Sequence, residues 1–211
     1  MRSFKTAFPA PMLDAYQAGV MRYTYKGIRC LKSPLDIAIY MRVLWDLKPR
    51  LIVEIGSHSG GSALLFADLA DMMGLDTRIV SVDLATPEGV THPRVQFVEG
   101  NVLDLEPVFE THALFGIPHP WFVTEDSAHS YDGCLRALCF FDRHMRPGDI
   151  LAMEDGVLDE LGLSAQYQGG PNRAIQDFFA TTPGQFEIAL EYCDMFGQNA
   201  TYNPNGYLKK L

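Results

Sequence analysis

LIVEIGSHSGGSALLFADLADMM, residues 51–73, decides the reading of the fold. LIVEI is an apolar run of strand length, the turn after it holds glycines at 56, 60 and 61, and SALLFADLADMM has the length and spacing of a buried helix. A strand that feeds through a Gly-rich turn into a helix is one βα unit. Glycines at such a turn let backbone approach a ligand without interference from a Cβ.

Toward the C-terminus the alternation continues. RIVSVD (78–83) is the second strand, TPEGVTHP (86–93) a loop, VQFVEG (95–100) the third strand and DLEPVFETHALFG (104–116) a helix. WFVTED (121–126) is the fourth strand. Residues 130–145 then place Tyr131, Leu135, Leu138 and Met145 at helical spacing, and Pro147-Gly148-Asp149 turns the chain into a fifth strand, ILAMED (150–155). Gly170-Pro171 starts a helix over NRAIQDFFAT, FEIALEY (186–192) reads as a further strand, and NPNG (203–206) is a turn before Tyr207-Leu208.

Toward the N-terminus, Ser33-Pro34-Leu35-Asp36 opens a helix with Ser33 as N-cap, Pro34 at the first helical position and Ile37, Tyr40, Met41 and Leu44 on one face; Pro49 stops it. Residues 1–32, with Tyr16, Tyr23, Tyr25 and a break at Gly27, read as an irregular arm or lid. Residues 33–211 are expected to form one α/β domain: a Rossmann-like, doubly wound, mostly parallel seven-stranded sheet with helices on both faces.

With 211 residues, 47% hydrophobic and 20% charged, the chain suits a single packed core. A net charge of −9 and no basic run argue against nucleic acid or an anionic membrane surface as partner. No stretch has the apolar length of a signal peptide or membrane span, so a cytoplasmic location is expected. Cys30, Cys134, Cys139 and Cys193 form no CxxC pair and read as reduced, mostly buried thiols.

In open sheets of this type ligands sit beyond the carboxyl ends of the strands, and four strand ends here carry informative residues. The turn reads GxxxGG followed by the hydroxyl of Ser62. A dinucleotide fingerprint would read GxGxxG, so an oxidoreductase is disfavoured. Strands four and five both end in acid pairs, Glu125-Asp126 and Glu154-Asp155, on strands that are neighbours in a sheet of this order. Convergent carboxylates repel, and a set of them at a cleft reads as a hard-cation site, magnesium above all. Strand alternation points Glu125 away from Asp126. His129 lies one helical turn past Asp126, and its ordinary pKa of about 6.5 leaves a neutral imidazole at pH 7, suited to a general base.

EIGSHSGGS (54–62) resembles the first motif, ExGxxxGxS, of the catechol and caffeoyl-CoA O-methyltransferase group of class I methyltransferases. DSAH (126–129) combined with Glu154-Asp155 after PGDILAM resembles the cephalosporin hydroxylase-like and rhamnosyl O-methyltransferase family and the related macrolide sugar O-methyltransferases. KSPLD (32–36), YDGCLRAL, GGPNRAI (169–175) and the terminal NPNGYLKK fit the same family, so the likeness spans most of the chain after residue 27.

This resemblance implies S-adenosylmethionine and a divalent cation such as Mg2+ as cofactors. Glu54 and Ser62 would bond the amino acid part of the cofactor, with Gly56 and Ser57 in contact with it. Asp83 would accept hydrogen bonds from the ribose hydroxyls, and Gly100-Asn101 would line the adenine pocket. Asp126, Glu154 and Asp155 match the family's metal ligands, and His129 matches its histidine; catechol-type relatives carry a Lys there. His58 lies in the Gly-rich turn beside the cofactor, whereas His92, His112, His119 and His144 read as structural.

The implied reaction is methyl transfer to an oxygen of a small polyhydroxylated acceptor, and the family's commonly oligomeric members imply a homo-oligomer. A phenolic acceptor, an iron-dependent oxygenase and a non-catalytic cofactor-binding partner of a biosynthetic enzyme are the competing readings. The oxygenase lacks its second histidine, since only His129 accompanies the acids.

Overall fold

Strand order follows from which segments can be buried on both faces. In the computed structural model, which describes residues 2–211, the elements in chain order are α1 (Ala10–Val20), β1 (Thr24–Tyr25), β2 (Ile28–Arg29), α2 (Pro34–Leu47), β3 (Leu51–Ile55) and α3 (Gly61–Met72). They continue with β4 (Arg78–Asp83), β5 (Val95–Glu99), α4 (Glu106–Thr111), β6 (Trp121–Glu125), α5 (Tyr131–His144) and β7 (Ile150–Met153). The last four are α6 (Gly170–Thr181), β8 (Phe186–Ile188), α7 (Leu190–Cys193) and β9 (Tyr207–Lys210).

The seven-stranded sheet runs β5-β4-β3-β6-β7-β9-β8. All pairs from β5 to β7 are parallel, while β9 pairs antiparallel with both β7 and β8. β3, β6 and β7 are buried along their whole lengths, as strands covered on both faces must be.

Alternation divides the core. Leu51, Val53, Ile55, Val123, Leu151 and Met153 pack with residues of α4, α5 and α6, including Phe109, Leu138, Phe141 and Phe178. Ile52, Ile79, Phe122, Ile150 and Tyr207 face the other way, against Tyr40 and Leu44 of α2 and Phe66 and Leu69 of α3. The order in which successive strands are added reverses between β3 and β6, and the strand ends there open the crevice that this topology reserves for a ligand.

The N-terminal segment departs from its reading as irregular. Residues 10–20 form a helix and Thr24–Tyr25 pairs with Ile28–Arg29 as a small hairpin. Only Leu13 and Val20 of α1 are buried, too sparse a stripe to show as periodicity. FEIALEY also differs: only Phe186–Ile188 pairs with β9, and Leu190–Cys193 turns into a short helix. On α2 the buried face includes Ile39 and Val43, with Ile37 and Met41 only partly covered; a helix that is apolar nearly all round hides its own orientation. Three cysteines are buried and Cys139 is exposed. Among the described residues no helix is long and apolar enough to cross a membrane.

α2 begins as read, with Ser33 accepting from the Asp36 N–H at 3.3 Å. The Asp36 carboxylate, however, leaves the helix to hold the C-terminal segment. It accepts from the Thr201 hydroxyl, the Tyr202 N–H at 2.9 Å, the Asn203 amide at 3.3 Å and the Tyr207 hydroxyl at 2.8 Å. A buried carboxylate is tolerated when donors surround it in this way. Asp36→Ala leaves those donors unpaired and is expected to lower unfolding stability by roughly 3 kcal/mol, read as a shift of the urea midpoint.

Candidate functional site

The carboxyl ends of four adjacent strands are linked by backbone hydrogen bonds just past the last residues of the sheet. Gly56 N–H reaches Val82 O at 2.7 Å, Asp126 N–H reaches Ile55 O at 2.8 Å, and Glu154 N–H reaches Glu125 O at 3.0 Å. At Gly56, with φ of 105°, a side chain would collide with the carbonyl of Asp126, so only glycine lets the turn lie against the acid that follows β6. Above these strand ends opens a cavity of about 720 Å3, lined by Gly56, Ser57, Asp83, Asp126, His129 and Asp155 among others.

The turn end is built from backbone and hydroxyls. Ser57 and Ser81 share a hydrogen bond of 2.6 Å, and Ser81 donates to Glu54 at 2.5 Å. Glu54 is fully buried beneath the turn and lies outside the cavity wall, where Ser57 and Ser62 stand instead. Burial pushes its carboxyl above the usual range, opposed by the charge of Lys32 and by hydrogen bonds from Ser62 and Ser81. Its second oxygen has no protein partner among the described residues.

Asp83 accepts from the N–H groups of His58 at 2.8 Å and Leu84 at 2.7 Å, which fixes the carboxylate at the cavity edge with lone pairs to spare. Asn101 lines the same end but turns its side-chain oxygen to the Leu103 N–H at 3.0 Å, a turn contact. Leu84 and Leu103, 73% and 51% exposed, give that end two open apolar surfaces.

At the acidic end, Asp126, His129 and Asp155 bring one donor atom each to within 4.8 Å of one another. His129 Nε2 lies 3.3 Å from Asp155 and 3.9 Å from Asp126, and its Nδ1 is buried without a protein partner among the described residues. His129 does not arrive there by a helical turn, because α5 begins only at Tyr131, with Ser130 as its cap. Instead both His129 and Asp155 adopt left-handed backbone, with φ of 52° and 59°. Such conformations in non-glycine residues are strained and gather at working sites. Although burial depresses the His129 imidazolium, Asp155, Asp126 and Glu125 more than offset it and hold the pKa above its ordinary value.

Glu154 does not join that trio. It is buried and pairs with the ammonium of Lys32 at 2.7 Å, and Lys32 also bonds Asp126. Burial alone would lower the Lys32 pKa; Asp126, Glu154 and Glu54 together hold it well above the ordinary range. Burial and the charge of Asp126 push Glu154 upward, and Lys32 opposes them. In the sequence Lys32 stands out only as the first residue of KSPLD, with no role assigned to it. Glu125 is buried and occupied by Ser127 and Cys134, as its strand position implies. Of the other histidines, His119 pairs with Asp149 at 2.6 Å and stacks on Trp121, His92 lies within 3.7 Å of Asp68 and His112 bonds Gln96 at 3.0 Å. His144 approaches Glu106 at 3.5 Å.

Sheet order, a glycine turn at the switch point and acids at the next two strand ends define the Rossmann-like methyltransferase fold. A family model described as Rhamnosyl O-methyltransferase/CmcI matches residues 17–211. The chain is 30% identical to a rhamnosyl O-methyltransferase of Mycobacterium leprae over 189 residues, 88% of this chain and 82% of that one. It is also 30% identical to one of Mycobacterium tuberculosis, over 88% of this chain and 77% of that one. A solved CmcI structure described as a Mg–SAM complex superposes with a TM-score of 0.69 at 26% identity, covering 90% of this chain and 77% of that one. The chain belongs to the Rhamnosyl O-methyltransferase/CmcI family.

Lys32→Met leaves Asp126 and Glu154 without their ammonium and is expected to destabilise the protein by about 3–5 kcal/mol at neutral pH. The deficit should shrink on acidification. A carboxyl whose folded pKa is raised binds its proton more tightly folded than unfolded, so stability falls as pH rises from the unfolded pKa toward the folded one. Removing Lys32 raises the folded value further and widens that window upward. Urea unfolding of both proteins between pH 5 and pH 8 measures this; a pH-independent difference would contradict the arrangement.

Proposed function

We propose that this chain is an S-adenosylmethionine- and Mg2+-dependent O-methyltransferase acting on a hydroxyl of a small, neutral polyhydroxylated acceptor of the sugar type. Family membership supports methyl transfer, and the observation that carries the site assignment is the convergence of Asp126, His129 and Asp155 on the cavity walled by Gly56 and Ser57. The donor set fits a hard cation through its two carboxylates, Asp126 and Asp155, whose oxygens converge beside His129. The turn fits the amino acid end of the cofactor, because Gly56, Ser57 and Ser62 line the cavity there with backbone and hydroxyl groups. Asp83 has free lone pairs for a ribose diol, and Leu84 and Leu103 offer apolar surface for a flat base.

Bound there, S-adenosylmethionine supplies an electrophilic methyl group and the cation lowers the pKa of the acceptor hydroxyl. Asp126 and Asp155 would hold the cation. Lys32 keeps Glu154 and Asp126 at fixed separation without adding negative charge to the cavity. His129 stands where it can take the hydroxyl proton onto Nε2, and left-handed backbone aims it there. The cavity wall carries Asp83, Asp126, Asp132 and Asp155 against a single Lys or Arg side chain, Arg29, among the described residues. A wall of that sign favours a cationic cofactor with its metal and disfavours an anionic acceptor. Transfer of labelled methyl from S-adenosylmethionine to methyl rhamnoside should stop in EDTA and return with magnesium; transfer that persists without a metal would overturn the reading.

One geometric fact favours a second role for His129. Its Nε2 is close enough to both aspartates to complete the metal set, with Glu154 retained by Lys32. His129→Ala separates the two: as base, its loss lowers turnover at least 100-fold with magnesium affinity unchanged, consistent with the usual worth of a general base; as ligand, its loss weakens magnesium about tenfold or more. Asp155→Asn, in either case, is expected to weaken magnesium binding by at least about tenfold and abolish transfer. Affinity for S-adenosylhomocysteine, followed by calorimetry, should change little.

A further inference from the structure

Two residues that line the cavity each carry a buried polar atom without a protein partner among the described residues, and neither belongs to the cofactor or cation set proposed above. Tyr202 is 3% exposed, lines the cavity, and its hydroxyl has no protein partner among the described residues. Gln17 lines the same cavity, and its carboxamide oxygen is buried and unpartnered among the described residues. An unmade hydrogen bond at a buried atom is costly, and where such an atom belongs to a side chain that lines a cavity it points to a group that completes it when the cavity is filled.

The backbone brings both residues to the acidic side. Residues 201–203 are clamped against the segment after β7: Val157 N–H reaches Tyr202 O at 3.1 Å and Asp155 N–H reaches the Asn203 side chain at 2.9 Å. Tyr202 therefore stands beside Asp155. Gln17 lies four residues after Leu13 and three before Val20, on the α1 face that packs against Tyr202 and Val157. Tyr16 reinforces the contact, with its ring centroid 5.6 Å from that of Tyr202. Asp36 fixes the segment from the other side through the Tyr202 N–H. The Tyr202 backbone is thus pinned on both sides and its ring packed against α1.

We infer that Tyr202 and Gln17 form an acceptor subsite that reads a hydroxyl other than those at the reacting centre, and so select acceptors with at least three hydroxyls over simple diols. The assignment rests on the methyltransferase reading above and deepens it. Both groups are uncharged, and together they offer one donor that also accepts and one further acceptor. That pairing suits an alcohol; a phosphate or carboxylate would demand cationic donors.

Calorimetry on protein loaded with S-adenosylhomocysteine and magnesium tests it, with methyl rhamnoside, which has three hydroxyls, and catechol, which has two, as probes. Tyr202→Phe keeps the ring and removes only the hydroxyl. It should weaken methyl rhamnoside about tenfold, the worth of one buried hydrogen bond, and leave catechol and S-adenosylhomocysteine binding unchanged. Gln17→Leu should weaken methyl rhamnoside in the same selective way. Unchanged affinity in both variants, as for atoms satisfied by water, overturns the subsite; so does an equal loss for both probes, the mark of a structural role. Wild-type protein that binds S-adenosylhomocysteine but neither probe overturns the subsite together with the acceptor class. Selective loss in protein that transfers no methyl overturns the methyltransferase reading alone.

Discussion

Four carboxylates crowd the carboxyl ends of three neighbouring strands and the loops that leave them, and one buried ammonium lies among them. Glu54 and Glu154 are almost wholly covered, Asp126 and Asp155 partly so. Left alone, such a group would have to take up protons or spread apart, because burial raises the free energy of each charge and proximity adds repulsion. Lys32 bonds two of the four and acts electrostatically on a third, Glu54. The remaining negative charge faces the cavity, where His129 answers part of it. The site is therefore underneutralised by design of its sequence, and its affinity for cations follows from that imbalance.

The sheet makes this crowding possible. Parallel register sets Ile55, Val82 and Glu125 at one level, so the residues just beyond them emerge side by side. Backbone hydrogen bonds continue across the strand ends and leave the following side chains little freedom. Gly56 then brings the turn against Asp126, which joins the hydroxyl-lined end of the cavity to its acidic end at van der Waals distance. Preorganisation of this kind is what methyl transfer needs, since the reaction depends on holding two reactants at close approach.

The strand-end acids and the glycine turn were legible because each follows an apolar run, and a parallel sheet has only one place for such residues. Lys32 was not, since its partners lie 94 and 122 residues away and nothing local marks a lysine that will be buried. Tyr202 and Gln17 escaped for the same reason. His129 was placed in the right pocket by a helical spacing that the chain does not use; the left-handed backbone that delivers it leaves no periodic trace. Glu154 looked equivalent to Asp155, and only the tertiary position of Lys32 separates them. The α1 helix, with two buried residues in eleven, had too little pattern to be seen.

The cavity is bounded by two independent sources of chain. The glycine-turn end comes from β3, β4 and the loops after β3, β4 and β5, whereas a further part of the wall comes from α1, from residues 158–167 and from Tyr202, all outside the sheet strands. Substitutions in the outer wall do not touch the hydrogen bonds that carry the strand ends. Descendants of this scaffold can therefore diverge in what they accept while retaining the donor chemistry intact, and a chimera that exchanges α1 and residues 158–167 between relatives would retune selectivity by grafting rather than by rebuilding.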